Sequence, residues 1–288
     1  MNKIKFITDS ATDAKCLNLP DVTVIPLTVT FGETEYKDGE TITNTEFYEK
    51  LIESDELPKT SQIGPVIFEE EMRKAIDDGD IAIVITLSSK LSGTYQSATI
   101  AASEFDKNVY VVDSLNVAIG ELILLLRGIE LREAGKSAEE IVSALENEKH
   151  QIHLVALLET LEYLKKGGRI SKAAAFAGNV LSIKPVIGIV DGEVAVLGKA
   201  RGSKQGNNLL FQEIEKAGGV DFSRPLYLGY TGLDDSAIKK YATDSEAVWK
   251  QEKDSLPIMC IGSTIGTHAG PGAFAATFFE PTDYEKKW

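Results

Sequence analysis

The first half of the chain alternates short apolar runs with stretches whose apolar residues recur at helical spacing. Ile4–Ser10, Val22–Phe31, Ile81–Leu87 and Val109–Ser114 are rich in β-branched residues and short enough for buried strands. Pro26 interrupts the second run, which favours an edge position for that strand. Because strands and helices alternate through residue 150, the pattern predicts a parallel, three-layer α/β domain over residues 1–150.

Helix boundaries in this half have local signals. Thr43–Glu46 reads as a capping box, in which the first and last side chains each bond the other's backbone N–H. Pro65 suits the first turn of a further helix, so the polar segment before it, residues 57–65, is expected to be a loop. A long apolar helix is predicted over Leu115–Ala134, and Ser137 opens the next one with a glutamate three residues on.

The second half has a mixed pattern. Asp191-Gly192 between two apolar runs predicts a β-hairpin, and Gly167-Gly168 should end a short helix. An alanine-rich helix is expected to reach Ala177. Further strands are predicted at Ile152–Leu158, Leu226–Tyr230, Ile258–Ile265 and Ala273–Phe279. Residues 151–288 are therefore expected to form a mixed α/β domain.

Composition narrows the functional class. A length of 288 residues suggests about two domains, and a net charge of −14 argues against nucleic acid or an anionic membrane as the main partner. The two cysteines are far apart and there are three histidines, so neither a disulfide framework nor a metal site is indicated. The first ten residues are too polar for a signal peptide, and no apolar run reaches the ~18 residues needed to span a bilayer. A soluble, cytoplasmic protein is expected.

The charge is unevenly distributed. Residues 165–204, called here the basic segment, hold eight lysines and arginines against two acidic residues, so they carry +6 while the rest of the chain carries −20. Such a segment is typical either of a docking face for an anion or acidic partner or of a solvated surface. Glycines beside its basic residues favour docking, because they let a partner approach the backbone closely.

Ile81–Ala98 contains the clearest candidate site. It combines an apolar strand, a loop of small hydroxyl residues around Gly93, and a helical stripe. This arrangement aims free backbone N–H groups and the positive end of a helix dipole at an anion, with Ser92 as a hydroxyl donor. The other interpretation is that Ser92 only caps the helix. The stretch by itself leaves both open.

Other polar clusters lie near predicted strand ends. Asp9-Ser10 and Asp113-Ser114 each follow an apolar strand, so they are expected on one rim of the sheet, either as ligand contacts or as helix caps. Thr60-Ser61-Gln62 lies between two prolines and fits either a turn or a site. His268, in what reads as a Gly/Thr loop over residues 262–272, lacks the apolar neighbours of a core histidine and can donate to an oxyanion, which favours a site.

Several of these stretches, in order along the whole chain, resemble the DegV family of bacterial fatty-acid-binding proteins. The stretches are Ile7–Ser10, Thr60–Gln62, Ser88–Tyr95, Val112–Ser114, Leu161–Lys172, Ile183–Pro185, Lys199–Lys204 and Thr267–Gly272. The resemblance implies a two-domain α/β architecture, the EDD fold, with a lipid buried in a tunnel between layers. It also implies a carrier that does no chemistry and serves as a subunit of fatty acid kinase.

Residue roles follow from the same resemblance. The carboxylate-binding group would comprise Thr60, Ser61, Ser92, Gly93, Thr267 and His268, all without a fixed charge. The docking group for the catalytic kinase subunit would comprise Arg169, Lys172, Arg201 and Lys204. The ligand would be a long-chain, palmitate-like fatty acid, with no cofactor and no metal. Burying ~14 methylenes yields on the order of 10 kcal/mol gross, so a few hydrogen bonds suffice to orient the headgroup.

The resemblance further implies that the kinase phosphorylates the bound carboxylate and that the carrier contacts a membrane transiently for lipid exchange. Departures from the family's usual residues at Ala118, Glu121 and Phe274 bear on the tunnel's length and so on the acyl chain it prefers. The alternative function is an enzyme acting on a small phosphorylated metabolite. It would bind phosphate at the Ser92 helix N-terminus, with Lys184 or Arg169 supplying positive charge.

Overall fold

The computed structural model describes residues 3–170, 183–249 and 255–282, which form three sheets and their covering helices. The strands are β1 (Ile4–Asp9), β2 (Val22–Ile25), β3 (Thr28–Phe31), β4 (Thr34–Lys37), β5 (Lys59–Ser61), β6 (Ile81–Thr86), β7 (Val109–Asp113), β8 (Ile152–Leu157), β9 (Ile183–Val190), β10 (Glu193–Arg201), β11 (Tyr227–Tyr230), β12 (Ile258–Cys260) and β13 (Phe274–Phe279). The helices are α1 (Asn44–Glu53), α2 (Pro65–Asp77), α3 (Thr94–Ala102), α4 (Ile119–Glu133), α5 (Ala138–Glu148), α6 (Glu162–Lys166), α7 (Ser203–Lys216), α8 (Ser236–Asp244), α9 (Glu246–Trp249) and α10 (Ser263–Ala269). The predicted alanine-rich helix through Ala177 lies outside the described residues.

The first sheet is parallel, in the order β2-β1-β6-β7, and helices cover both faces. Successive residues of a strand point to opposite faces. Phe6 and Ile83 accordingly pack against α4 and α5, while their neighbours Ile7 and Val84 pack against α2 and α3. The predicted three-layer arrangement is confirmed, and β2 is an edge strand as Pro26 indicated.

The second sheet has six strands in the order β10-β9-β8-β13-β11-β12. Leu154 and Ala156 on its inner face share one hydrophobic core with α4, so that helix lies between the two sheets. Val155 and Phe278 on the outer face pack with residues of α7, α8 and α9. This mixed sheet completes the predicted two-domain α/β fold.

Local signals located several boundaries correctly. The capping boxes at Thr43 and Ser137 are present with both reciprocal hydrogen bonds. Pro65 begins α2, Asp191-Gly192 joins β9 to β10, and α6 ends just before Gly167.

Other segments differ from the sequence-based expectation. Val22–Phe31 is two strands in two different sheets, and residues 57–65 contain β5, which pairs with β3 in the small third sheet. The helix predicted from Leu115 begins at Ile119, because Leu115 and Ala118 have φ of 50° and 54°, in the left-handed region. The strand predicted over Ile258–Ile265 ends at Cys260, and α10 follows.

Candidate functional site

A cavity of about 250 Å³ lies between the carboxyl end of the parallel sheet and the inner face of the six-stranded sheet. Its walls are mainly apolar, with a polar group at one end that includes Thr60, Ser92, Arg169 and His268. Among the described residues that line it, none is acidic. A long apolar space with donors gathered in one place suits an amphipathic ligand with a polar head.

The loop after β6 is held in place by the strands on either side. Asp9, at the end of β1, accepts from the backbone N–H of Leu87 (2.9 Å), and Asp113, at the end of β7, accepts from that of Ser89 (3.1 Å). Asp9 is fully buried, and neither carboxylate lines the cavity. The predicted rim at the strand ends therefore exists, and its carboxylates hold the loop that presents Ser92.

Ser92 and Gly93 both line the cavity at the start of α3. The Ser92 hydroxyl lies 2.9 Å from Thr94 Oγ1 and accepts from the Thr94 N–H (3.2 Å), while Gly93 occupies the N-cap position. Ser92 thus accepts from a backbone N–H at the start of α3, as the capping interpretation predicts. It does so from the position before the N-cap residue, Gly93. A Cβ on Gly93 would lie 2.1 Å from Gln62 Oε1, so only glycine allows the Gln62 side chain to pack there.

Thr60 and His268 are brought together from residues 208 positions apart. Thr60 Oγ1 on β5 lies 2.9 Å from His268 Nε2 on α10. Burial and then the nearby Arg169 guanidinium lower the pKa of His268 to about 4, so the ring is neutral at pH 7.

The tautomer of His268 follows from its hydrogen bonds. Nδ1 is buried with no partner among the described residues, so a proton there would leave a buried N–H unsatisfied. We therefore assign the proton to Nε2, which donates to Thr60 Oγ1. The Thr60 hydroxyl hydrogen is then free to point to a ligand.

Distant carboxylates anchor the start of α10, the helix that carries His268. Asp38 accepts from the N–H groups of Ser263 (3.1 Å) and Thr264 (3.3 Å) and from the Ser263 hydroxyl (2.5 Å). Asp13 accepts from the N–H of Gly262 (3.0 Å). The first N–H groups of a helix have no acceptor within the helix, so these side-chain oxygens satisfy them. His268 is therefore on a helix rather than in the expected loop.

Arg169, which is predicted to dock a partner, lies at the polar end of the cavity. It is half-buried, lines the cavity, and donates from Nε to the carbonyl of Leu91 (3.2 Å) and from Nη1 to that of Gly167 (2.6 Å). The polar end therefore includes an arginine side chain beside the hydroxyls and the histidine expected there.

The structure does not bring Thr267 to the cavity. Its hydroxyl donates to the carbonyl of Ser263 (2.9 Å) within α10, and its side chain faces away from the lining residues. Thr264, one turn earlier on the same face as His268, lines the cavity instead. Its hydroxyl is buried and has no hydrogen-bond partner in the described part of the chain. Sequence reasoning missed Thr264 because the helical spacing of residues 264 and 268 was not recognised.

Five of the six residues predicted to bind the carboxylate line the cavity, and their role there stays a prediction: Thr60, Ser61, Ser92, Gly93 and His268. Of the predicted docking residues, Arg201 is exposed at the end of β10 and Lys204 is exposed in the first turn of α7. Lys172 lies outside the described residues. Of the two cations suggested for a phosphate site, Arg169 lines the cavity, whereas Lys184 is ion-paired with Glu159 and does not.

The structure also locates the three residues at which the sequence departs from the family's usual pattern. Ala118 lines the cavity, whereas Glu121 does not. The Phe274 ring packs against Tyr241 on the outer face of the sheet, with ring centroids 5.4 Å apart. Phe274 is nevertheless among the residues that line the cavity, although its ring packs in the outer core.

Within the three described ranges, no group of three or more His, Cys, Asp and Glu side chains is arranged to hold a metal ion. No helix in the described part of the chain is both long and apolar enough to cross a membrane.

Comparison with known proteins gives consistent matches along the chain. A family model described as an uncharacterised protein of the DegV family matches residues 3–281. A DegV domain-containing protein of Caldanaerobacter subterraneus is 35% identical over 285 residues, covering 97% of this chain and 99% of that protein.

Two solved structures are similar over nearly their full length. A DegV family protein from Thermus thermophilus, described for its fatty acid binding, matches with a TM-score of 0.85 and 33% identity, covering 97% of this chain and 100% of that one. A stearic acid-binding protein from Eubacterium ventriosum matches with a TM-score of 0.82 and 28% identity, covering 97% and 99% respectively.

Proposed function

The chain belongs to the DegV family, and we propose that it binds a long-chain fatty acid in the cavity between its two sheets. The observation that carries this proposal is the cavity's polarity: an apolar space that ends in the hydroxyls of Thr60 and Ser92, the His268 ring and the Arg169 guanidinium. Each buried methylene contributes about 0.8 kcal/mol, so the acyl chain supplies most of the affinity.

The headgroup would be a carboxylate. Thr60 has a free hydroxyl hydrogen to donate once His268 Nε2 donates to its oxygen. Ser92 offers a second hydroxyl, and Arg169 supplies the opposite charge. A carboxylate accepts up to about four hydrogen bonds, so these groups match its capacity. The fatty acid binding described for the Thermus and Eubacterium relatives supports the same ligand class for this chain.

We infer a carrier without turnover of its own. Thr60 and His268 resemble a nucleophile and its base, yet His268 donates to Thr60 and so does not take a proton from it. A histidine whose pKa is lowered to about 4 is also a weak base at pH 7. The same pair suits the orientation of a hydroxyl donor. The alternative enzyme on a phosphorylated metabolite would keep Arg169 as its cation, because Lys184 is paired with Glu159. The mainly apolar lining of the cavity favours a lipid over such a metabolite.

The carrier would act in the cytoplasm. It would present the carboxylate of the bound fatty acid to the catalytic subunit of a fatty acid kinase for acyl-phosphate formation. Arg201 and Lys204 are exposed, and the half-buried Arg169 connects the same basic segment to the polar end of the cavity. A partner docked on these cations would lie beside the carboxylate. Transient contact with a membrane would supply and remove the lipid.

Lipid extraction from protein purified without added ligand tests the binding proposal. Mass spectrometry should find long-chain fatty acids in the wild type. Removing both headgroup hydroxyls, with Thr60→Val and Ser92→Ala, should lower retention by about tenfold or more, because each lost charge-assisted hydrogen bond costs roughly 1–2 kcal/mol. Thr99→Val on the exposed face of α3 is the control. Absence of acyl chains in the wild type, with no uptake of added fatty acid, would rule out the function.

A separate experiment tests the proposed docking of a fatty acid kinase. Arg201→Ala should leave lipid content unchanged while lowering the rate at which a fatty acid kinase phosphorylates the bound acid. Lys216→Ala, at the other end of α7 and exposed, serves as the control. A docking role is contradicted if lipid content and phosphorylation fall together.

A further inference from the structure

The acyl part of the cavity follows β8 along the inner face of the six-stranded sheet. Leu158, Ala156 and Leu154, at alternate positions, all line it. Leu158 lies at the polar end, because α6 and Arg169 follow it closely in the chain and contact His268's helix through Gly167. Leu154 therefore lies at the far end, roughly 13 Å away at the usual rise per strand residue.

Small side chains form the floor between these two ends. Ala275 on β13 is directly opposite Ala156 on β8, and Ala273 also lines the cavity. Methyl groups here leave space above the sheet, whereas larger side chains would fill it. An extended chain can therefore pass over the middle of the sheet towards Leu154.

Branched residues close the far end. Leu154 is flanked on the neighbouring hairpin by Ile189 and Val194, which are paired with each other across β9 and β10. The next inward-facing positions on the two central strands are Ile152 and Thr277, and neither lines the cavity. The cavity thus ends at the side chains of Leu154, Ile189 and Val194.

We propose that Leu154, with Ile189 and Val194, sets the maximum acyl length by meeting the methyl end of the chain. This inference rests on the proposed fatty acid binding and names the residues that determine its specificity. A zigzag hydrocarbon advances roughly 1.25 Å per carbon, so one strand residue corresponds to between two and three methylenes. Replacing leucine by alanine removes three carbon atoms and makes room for about two more methylenes.

The test compares the delipidated wild type with Leu154→Ala and Val155→Ala over a series of saturated fatty acids that differ by two carbons. Val155 is the matched control, since it is the adjacent buried residue on the same strand but faces the outer core. Leu154→Ala should shift the chain length that is bound most tightly by about two carbons towards longer chains. The affinity for this longer acid, relative to that for the original one, should rise about fivefold. Val155→Ala should keep the wild-type optimum.

A substitution in the opposite direction gives a second arm. Ala156→Leu should block the cavity two residues nearer the polar end and shift the optimum by about five carbons towards shorter chains. If Leu154→Ala does not fold, Ile189→Ala, at a half-buried position, takes its place with the same expected direction. An unchanged optimum in a folded Leu154 or Ile189 variant would overturn the length proposal while fatty acid binding stands. A wild type that binds no member of the series would instead overturn the proposed function, and the length proposal with it.

Discussion

The hydroxyls of two threonines on α10 differ in whether they have a hydrogen-bond partner among the described residues. Thr267 donates to the carbonyl of Ser263, as helical threonines often do. Thr264 is equally buried, faces the cavity and has no partner in the described residues. A buried hydroxyl without a partner costs roughly 1–3 kcal/mol, so its presence beside His268 indicates that a ligand or a water completes it.

Thr264→Val tests this difference. The change keeps the side chain's shape and removes the hydroxyl, so ligand-free protein should be at least as stable as the wild type. Fatty acid affinity should fall about fivefold, because the bound ligand or its bridging water loses a donor. Titration calorimetry and thermal unfolding measure the two effects.

Thr267→Val is the matched control on the same helix. It removes a hydrogen bond outside the cavity, and we expect a small loss of stability with unchanged affinity. Equal affinity of Thr264→Val and the wild type would show that the Thr264 hydroxyl has no part in binding.

At the scale of elements, α10 depends on contacts from far along the chain. Its sequence, Ser263–Ala269, is rich in residues of low helix propensity, and no side chain of its own caps it. Asp38, 225 residues earlier, supplies the acceptors that its first turn needs. Gly266 lets the helix approach Phe47 and Tyr48, since a Cβ there would lie 2.6 Å from Phe47 Cε1 and 2.6 Å from the Tyr48 hydroxyl oxygen.

Asp38→Asn should therefore destabilise both the fold and the site. An amide offers one acceptor oxygen, and its NH₂ faces groups that are themselves donors, so we expect a loss on the order of 3 kcal/mol in the free energy of unfolding. Lipid retention should fall as well, because His268 and Thr264 are on the helix that Asp38 anchors. Chemical denaturation and lipid extraction measure both quantities.

The exposed Asp106→Asn makes the same chemical change away from any helix start and should alter neither quantity. Wild-type stability in Asp38→Asn would mean that α10 forms without this anchor.

At the scale of the whole molecule, α4 joins the two domains through one core and contains a buried acid. Glu121 is fully buried and accepts from Thr8 (3.2 Å). Burial, and then the charge of Asp9, raise its pKa well above the ordinary value. Burial also raises the pKa of Asp9 from 3.8 to about 7, against the lowering effect of the N–H groups it accepts from.

These shifts predict how stability depends on pH. Both pKa values are higher in the folded state than in the unfolded chain, so the folded protein binds more protons between about pH 4 and pH 7. The free energy of unfolding should therefore fall as pH rises through this window, by a few kcal/mol in order of magnitude. Glu121→Gln removes one of the two acids and its repulsion of Asp9, so the slope should become shallower.

Urea denaturation at a series of pH values measures that slope. The control is Glu133→Gln, an exposed position on the same helix, which should keep the wild-type dependence. Burial also raises the pKa of Asp13, which adds to the slope in both proteins. A slope that is the same in Glu121→Gln and the wild type would contradict a contribution of Glu121 to the pH dependence.

Features that depend on neighbouring residues are predictable from the sequence alone. Capping boxes at Thr43 and Ser137, Pro65 at a helix start and the Asp191-Gly192 hairpin depend on neighbouring residues, and all were located correctly. The family resemblance added six residues predicted to bind a headgroup, of which five line the cavity.

Features that depend on partners far along the chain are visible only in the folded molecule. The sequence predicts a loop where α10 forms, because the cap of that helix comes from Asp38, and a loop where β5 forms, because its partner strand is β3. Arg169 reaches the polar end of the cavity, and Thr264 rather than Thr267 faces it, through the packing of α6 and α10. A side chain's direction depends on which helix face or strand face is buried. That choice is made by contacts between elements and leaves no short-range pattern in the sequence.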